Sequence, residues 1–198
     1  MKLILASASP RRKELLKQIG LEFEAIAACG EEISASLEPQ QAVTELSRQK
    51  AEEIAQKRKG FAAPELILGA DTAVAFMGQI LGKPKDKADA HRMLSMLQGN
   101  RHKVFTGVTF AIREETSVKF HSFYEETQVE LYPVTEQEIQ WYIGTKEPFD
   151  KAGGYGIQGL CAMFVKEIQG DYNNVVGLPL SRVYHELLKC GIDILKKQ

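Results

Sequence analysis

Residues 2–6 (Lys-Leu-Ile-Leu-Ala) form a short apolar run, after which Leu15, Leu16 and Ile19 recur at helical spacing as far as Gly20. The pattern predicts a strand feeding a helix, with Ser9 as N-cap, Pro10 at the first helical position and Gly20 in the left-handed position beyond the end. A second helix is expected over residues 39–59, with Val43, Leu46 and Ile54 on one stripe and Gly60 closing it. Residues 65–76 are too apolar for a surface segment and read as a buried strand, followed by a turn at 77–79. Residues 87–97 read as a helix stopped by Gln98-Gly99-Asn100. Residues 102–112 alternate as a strand, with Val104, Thr106, Val108, Phe110 and Ile112 on one side, and 114–116 turn it into a hairpin with 118–131. Thr135 and Glu138 form a capping box for a helix through Ile143 that Gly144 closes. Beyond a glycine-rich stretch at 146–159, residues 161–168 read as a strand. Residues 179–189 read as a last helix with Leu180, Val183, Leu187 and Leu188 inward. Strands and helices mix without strict alternation, which predicts an α/β or α+β fold with a mixed twisted sheet and flanking helices, in a single domain over residues 1–198.

Composition narrows the classes. A chain of 198 residues with 44% hydrophobic residues buries roughly 70% of its unfolded surface and needs no disulfide or structural metal. The net charge of -1 argues against a duplex nucleic-acid binder, which needs an excess of clustered cations; any basic site is local. Cys29, Cys161 and Cys190 are odd in number, far apart and without C-x-x-C pairing, which fits reduced thiols and a cytoplasmic location. Residues 1–5 are too short for a signal-peptide core and no apolar run approaches the roughly 18 residues of a membrane span, so a soluble, unprocessed chain is expected.

Four places set polar groups against this pattern, and a buried charge costs several kcal/mol unless something pairs with it. Ser7-Ala-Ser9-Pro10-Arg11-Arg12 puts two guanidiniums in a helix's first turn, where they oppose the dipole unless an anion binds; two solvated arginines are the alternative. Lys50 falls on the Val43, Leu46, Ile54 stripe, so it either snorkels or presents an ammonium to an anionic site. Asp71-Thr72 interrupts the apolar strand. Its carboxylate is expected to bind metal, act as a general base or pair with Lys50 or Lys83, unless it merely caps a turn. The fourth place, residues 150–159, has glycines at 153, 154, 156 and 159. Its G-x-G-x-x-G lacks the preceding strand and following helix of a dinucleotide fingerprint. A backbone closely approached by a ligand is the better account, with Gln158 able to read a base edge. Cations, a buried carboxylate, the neighbouring acids Glu31 and Glu32 and a glycine loop together suit phosphate ester chemistry with a divalent metal. His91, His102, His121 and His185 share no spacing and read as surface or structural residues.

The segments S-x-S-P-R-R at 7–12, G-A-D-T at 69–72, G-K-P at 82–84, G-x-x-H-x-V-x-T-G at 99–107, D-K-A-G-x-Y-G-I-Q-G at 150–159 and V-V-G-L-P-L at 175–180 resemble the Maf-like nucleoside triphosphate pyrophosphatases over nearly the whole chain. The resemblance implies hydrolysis of a nucleoside triphosphate between the α and β phosphates, giving a monophosphate and pyrophosphate, with a divalent cation, Mg²⁺ or Mn²⁺. At Arg11, Thr72 and Gln158 the chain resembles the dTTP/UTP branch, which implies that pyrimidine preference. The same resemblance implies Asp71 as proton acceptor, Lys50 and Lys83 as phosphate-binding lysines and Glu32 as the metal-proximal acid. Asp71 and Glu32 are then the metal ligands, and Ser7 and Arg12 join Arg11 among the substrate-binding residues. Gly154 stands where the family usually has Ala, Ala73 where it has Val and Gln98 where it has Ser. The implied fold is an elongated two-lobed α/β structure with a central cleft, similar to the inosine triphosphate pyrophosphatases. The implied partner is a small nucleotide, with neither nucleic acid nor membrane; homodimers are a common default and the sequence leaves the oligomeric state open. The rival reading is a nucleotide-binding regulator of cell division or septum formation.

Overall fold

The structure, a computed structural model, describes residues 1–30, 38–60 and 64–197. Its strands form a seven-stranded mixed sheet in the order β2 (Glu24–Ala25), β1 (Lys2–Ala6), β3 (Glu65–Phe76), β5 (Arg101–Arg113), β6 (Val118–Leu131) and β7 (Val165–Gln169), with β4 (Gln79–Leu81) attached to β3. The chain packs as two compact units, one of Met1–Asp71, Thr106–Glu125 and Gly177–Gln198, the other of Thr72–Phe105 and Glu126–Val176.

In the first unit, β1 (Lys2–Ala6) pairs parallel with β2 (Glu24–Ala25) and with β3 (Glu65–Phe76), Ile4 standing opposite both Glu24 and Ile67. Parallel strands need crossovers, and these are supplied by α1 (Pro10–Gln18) and α2 (Pro39–Lys57). Each opens on a proline, and Gly20 and Gly60 lie beyond their ends at φ 72° and 89°. Ser9 occupies the cap position of α1 without a side-chain cap bond; its own N–H donates to Ser7 Oγ at 3.2 Å.

Two glycines decide how α2 lies on the sheet. A Cβ on Gly69 of β3 would stand 2.2 Å from the Ser47 carbonyl oxygen and 2.9 Å from the Ala51 nitrogen, and one on Gly107 would stand 2.2 Å from the Val43 carbonyl oxygen. The helix backbone therefore rests directly on the sheet at two points. At the other end of β3, Glu65 is 1% exposed and bridges Arg58, just past α2, and Arg113, which closes β5 (Arg101–Arg113). Burial alone would raise this carboxyl; the two guanidiniums hold it below the usual range instead. β5 runs into β6 (Val118–Leu131), the Glu114 N–H donating to the Ser117 carbonyl across the turn. So short a connection makes the pair an antiparallel hairpin.

In the second unit, Met77 and Gly78, both at positive φ (47° and 74°), turn β3 into β4 (Gln79–Leu81), which pairs antiparallel with Val74 opposite Leu81. The helix α3 (Lys87–Leu97) is capped by Asp86, whose carboxylate accepts the Asp89 N–H at 2.8 Å. The helix α4 (Glu136–Gly144) carries the Thr135/Glu138 capping box. Leu94, Leu97, Tyr142, Cys161 and Phe164 meet in this unit's core. β7 (Val165–Gln169) lies antiparallel on β6, and α5 (Tyr172–Val176) follows it, before α6 (Leu180–Lys189) returns the chain to the first unit.

Several expectations need correction. Residues 160–164 are a 3₁₀ turn (Leu160–Phe164), and only Val165–Gln169 is a strand; the apolar side chains of Cys161 and Phe164 are buried just as well by the turn. Gly144 is the last helical residue, and Lys146, at φ 66°, takes the left-handed position. On α6, Leu188 is 40% exposed and Glu186 is buried in its place, because His121, Arg182 and Lys189 all pair with its carboxylate. β5 is buried on both faces over residues 104–111 rather than on alternate positions. The short elements β2, β4 and α5 carry too few residues for a periodic signal.

Candidate active site

The close approach at Gly69 sets the central contact of the first unit. Ser47 and Ala51 of α2 straddle Gly69, and Lys50, beside Ala51, reaches Asp71 two residues further along β3. Lys50 Nζ donates to Asp71 Oδ1 at 2.6 Å, the two side chains being 17% and 15% exposed. The lysine on an apolar stripe and the aspartate in an apolar strand are therefore partners. This site is partly desolvated, so the attraction is screened less than in a surface pair, while both groups keep a solvent-facing side.

The serine-arginine segment is also organised in this unit. Arg12 donates from Nε to the Gly177 carbonyl at 2.8 Å and from Nη1 to Ser7 Oγ at 3.2 Å. Ser7 is buried and accepts both this bond and the Ser9 N–H. Arg12 thus joins the first turn of α1 to the V-V-G-L-P-L segment through Gly177. Arg11 is partly buried beside it.

Glu53, one turn beyond Lys50 on α2, was not singled out by any sequence pattern. Its carboxylate accepts the backbone N–H groups of Cys29 (3.0 and 3.1 Å) and Gly30 (2.9 Å) and pairs with Lys57 at 2.6 Å. Those backbone bonds, with Lys57, hold it at about 2. Glu31 and Glu32 lie outside the described residues.

The second unit carries Thr72, Lys83 and Gln158. Thr72 is partly buried and follows Asp71 directly in β3, whereas Lys83 and Gln158 are exposed. Lys83 and the glycine loop belong to one framework: the Gly153 N–H donates to the Gly82 carbonyl at 3.0 Å, and a Cβ on Gly154 would stand 3.2 Å from Pro84 Cγ. Gly153 and Gly154 both sit at positive φ (69° and 71°), a conformation that glycine adopts without steric cost, and at Gly153 a Cβ would also stand 3.0 Å from Val74 Cγ2. Tyr155 anchors the loop inward, its hydroxyl 2.7 Å from His102 Nε2. Burial drives His102 down to about 4, with the Asn100 backbone pulling weakly the other way; the imidazole is neutral at neutral pH.

No strand precedes and no α-helix follows Gly154, Gly156 and Gly159; 3₁₀ turns stand on both sides, so the segment is no dinucleotide fingerprint. The cysteines are unpaired, and burial pushes the Cys161 thiol up to about 12. Among the described residues no group of three or more His, Cys, Asp or Glu stands ready for a metal, and no helix is long and apolar enough to cross a membrane.

A family model described as Maf-like protein matches residues 2–190. A protein of Agathobacter rectalis named dTTP/UTP pyrophosphatase is 55% identical, covering 97% of this chain and 98% of its own. Proteins of the same name from Lachnoclostridium phytofermentans and Carboxydothermus hydrogenoformans are 45% and 50% identical, covering 98% and 96% of this chain and 98% and 100% of their own. Among solved structures, the Staphylococcus aureus Ham1 protein is similar with a TM-score of 0.46 at 15% identity, covering 81% of this chain and 77% of its own.

Proposed function

Since the chain belongs to the Maf-like protein family, we propose that it is a nucleoside triphosphate pyrophosphatase, a hydrolase that converts dTTP and UTP to the monophosphate and pyrophosphate. The observation that carries this reading is the Lys50–Asp71 pair at 2.6 Å, held inside the G-A-D-T segment of a chain about half identical to proteins named for that activity.

On this reading Asp71 accepts the proton of the attacking water. Lys50 serves two ends: its hydrogen bond orients the Asp71 carboxylate, and its ammonium offers a counter-charge to phosphate oxygens as the anhydride breaks. Lys83 adds a second counter-charge, and Arg11 and Thr72 contact the nucleotide. Gln158 selects the base: the edge of thymine or uracil presents both a carbonyl acceptor and a ring N–H donor, which an amide matches, and a purine's larger ring system would carry its edge to a different place. Ser7 and Arg12 act from behind, fixing the turn that carries Arg11.

A divalent cation, Mg²⁺ or Mn²⁺, belongs to the same proposal. Such ions are bound through one or two carboxylates together with substrate phosphates, and the donor set of a single partly exposed Asp71 beside a triphosphate fits that habit; Glu32 is the second acid by motif. When bound, the ion neutralises phosphate charge. A cytoplasmic location, a homodimer and the absence of nucleic-acid partners complete the proposal.

The test is pyrophosphate release from a panel of nucleoside triphosphates in Mg²⁺ or Mn²⁺, with Asp71→Asn beside the wild type. Turnover concentrated on dTTP and UTP, and reduced by about 10²–10⁴ in a folded Asp71→Asn protein, is expected for loss of a general base. A folded, fully active Asp71→Asn protein would refute the assignment of the base, and no turnover of any nucleotide would refute the reaction.

A further inference from the structure

Gln158 is exposed, and an exposed side chain selects a base only if the backbone beneath it is held still. The two glycines around it show what holds it. A Cβ on Gly159 would stand 2.6 Å from Glu147 Oε1 and 2.9 Å from Oε2, and one on Gly156 would stand 2.4 Å from Lys151 Cε. The space a side chain would need at both positions is filled by Glu147 and Lys151. Gly159, at φ 148° and ψ -157°, lies in a region essentially reserved for glycine.

Glu147 does more than fill space. Its Oε2 accepts the Leu160 N–H at 3.1 Å, two residues past Gln158, and its Oε1 accepts the Tyr142 hydroxyl at 3.0 Å. Tyr142 is buried in the core of the second unit, and burial raises its phenol well above the usual range, so it stays a donor. Lys151 Nζ in turn donates to the Glu147 carbonyl and to Asp150 Oδ1, both at 2.7 Å. A chain of contacts therefore runs from a buried tyrosine through one carboxylate to the backbone that follows Gln158.

We infer that Glu147 is a positioning residue for base selection, the carboxylate clamp that presents Gln158 to the base, with Lys151 as its brace. The inference rests on the functional reading above and extends it: neither residue touches the nucleotide, yet discrimination between pyrimidine and purine depends on them. Backbone N–H groups bonded to a carboxylate are among the stronger hydrogen bonds. Without it, the residue 156–160 backbone samples other conformations and the Gln158 amide meets the base in only a fraction of them, which weakens apparent binding by that fraction.

The experiment compares wild type, Glu147→Gln and Glu147→Ala. It reads kcat and KM for dTTP and dGTP in Mg²⁺, and amide hydrogen exchange of a peptide spanning residues 154–162. Glu147→Ala is expected to raise KM for dTTP and to lower the dTTP/dGTP ratio of kcat/KM by roughly tenfold, as for loss of one hydrogen bond to a charged group. The expected kcat for dTTP stays within about twofold, because the groups that move the proton and hold the phosphates are untouched. Glu147→Gln, which keeps an acceptor, restores most of the ratio, and the Leu160 amide exchanges faster only in Glu147→Ala. An unchanged ratio, or an equal loss of kcat on both nucleotides, overturns the inference. Wild-type protein inactive on every nucleotide fails the functional reading instead, while a Leu160 amide exchanging no faster in Glu147→Ala fails the clamp itself. Should Glu147→Ala not fold, Glu147→Asp, which withdraws the carboxylate by one methylene, carries the same comparison.

Discussion

Gly69→Ala adds one methyl group at the point where α2 rests on β3. The new Cβ would stand 2.2 Å from the Ser47 carbonyl oxygen, 2.9 Å from the Ala51 nitrogen and 3.0 Å from the Ala51 Cβ. Comfortable contacts between non-bonded carbons lie at roughly 3.5–4.0 Å, so the helix must retreat by about 1 Å or more. All three obstacles belong to α2 main chain or to a Cβ, and no rotamer change relieves them. Overpacking of this kind costs about 1–3 kcal/mol, and the gain of roughly 0.4–1 kcal/mol from a less flexible unfolded chain opposes it only in part. A net loss of about 2 kcal/mol shifts the melting temperature by roughly 4–8 °C at this chain length. The retreat also draws Lys50, the residue before Ala51, away from an Asp71 contact that is now 2.6 Å. A displacement of about 1 Å in a catalytic group costs around 10²-fold in rate. The assay is a thermal melt followed by pyrophosphate release from dTTP at a temperature where the variant is fully folded. A variant with the wild-type melting temperature and turnover would refute the argument that glycine is required here for helix approach, and with it the account of how Lys50 reaches Asp71.

Two further outcomes are expected. Gln158→Ala changes base preference more than phosphate affinity: the dTTP/dGTP ratio falls while inhibition by pyrophosphate keeps its concentration dependence, and equal loss across all nucleotides would contradict it. His102 titrates at about 4 in the folded protein, against about 6.5 unfolded, so the unfolded chain binds the extra proton between these values. Stability is full above about pH 6.5 and falls by up to roughly 3 kcal/mol as the pH drops toward 4. Urea melts across this window measure the slope, and His102→Phe should flatten it.

The parts of the fold that were legible are those where one local signal faces no rival. The β1 run and the Asp71 strand read as continuous apolar runs, the α2 stripe keeps helical spacing, and the Thr135/Glu138 box forms as its pattern predicts. The misreading at 160–164 has a physical cause: a short apolar run is buried equally well by a strand or by a 3₁₀ turn, and periodicity does not separate the two. Glu186 escaped for another reason, since a carboxylate on an apolar stripe is buried only when partners from elsewhere reach it, and His121 comes from β6. The site divides the same way. Lys50 and Asp71 each break a local pattern and so announce themselves, and the structure joins them. Glu147 and Glu53 break nothing locally; their importance lies in backbone N–H groups that no side-chain pattern records. The roles assigned to Lys83, Thr72 and Gln158 rest on motif resemblance, and Glu32 lies outside the described residues.

The division of the chain has a consequence for biosynthesis. The first unit is assembled from Met1–Asp71, Thr106–Glu125 and Gly177–Gln198, and Arg12 donates to the Gly177 carbonyl at 2.8 Å. Domains commonly fold as they leave the ribosome, N-terminal part first, but here the oldest residues must wait for the youngest. A nascent chain halted before residue 177 holds Lys50 and Asp71 yet lacks both α6 and the carbonyl that Arg12 bonds. Early termination is therefore expected to leave the first unit unfinished, a segment for chaperones or proteases to meet.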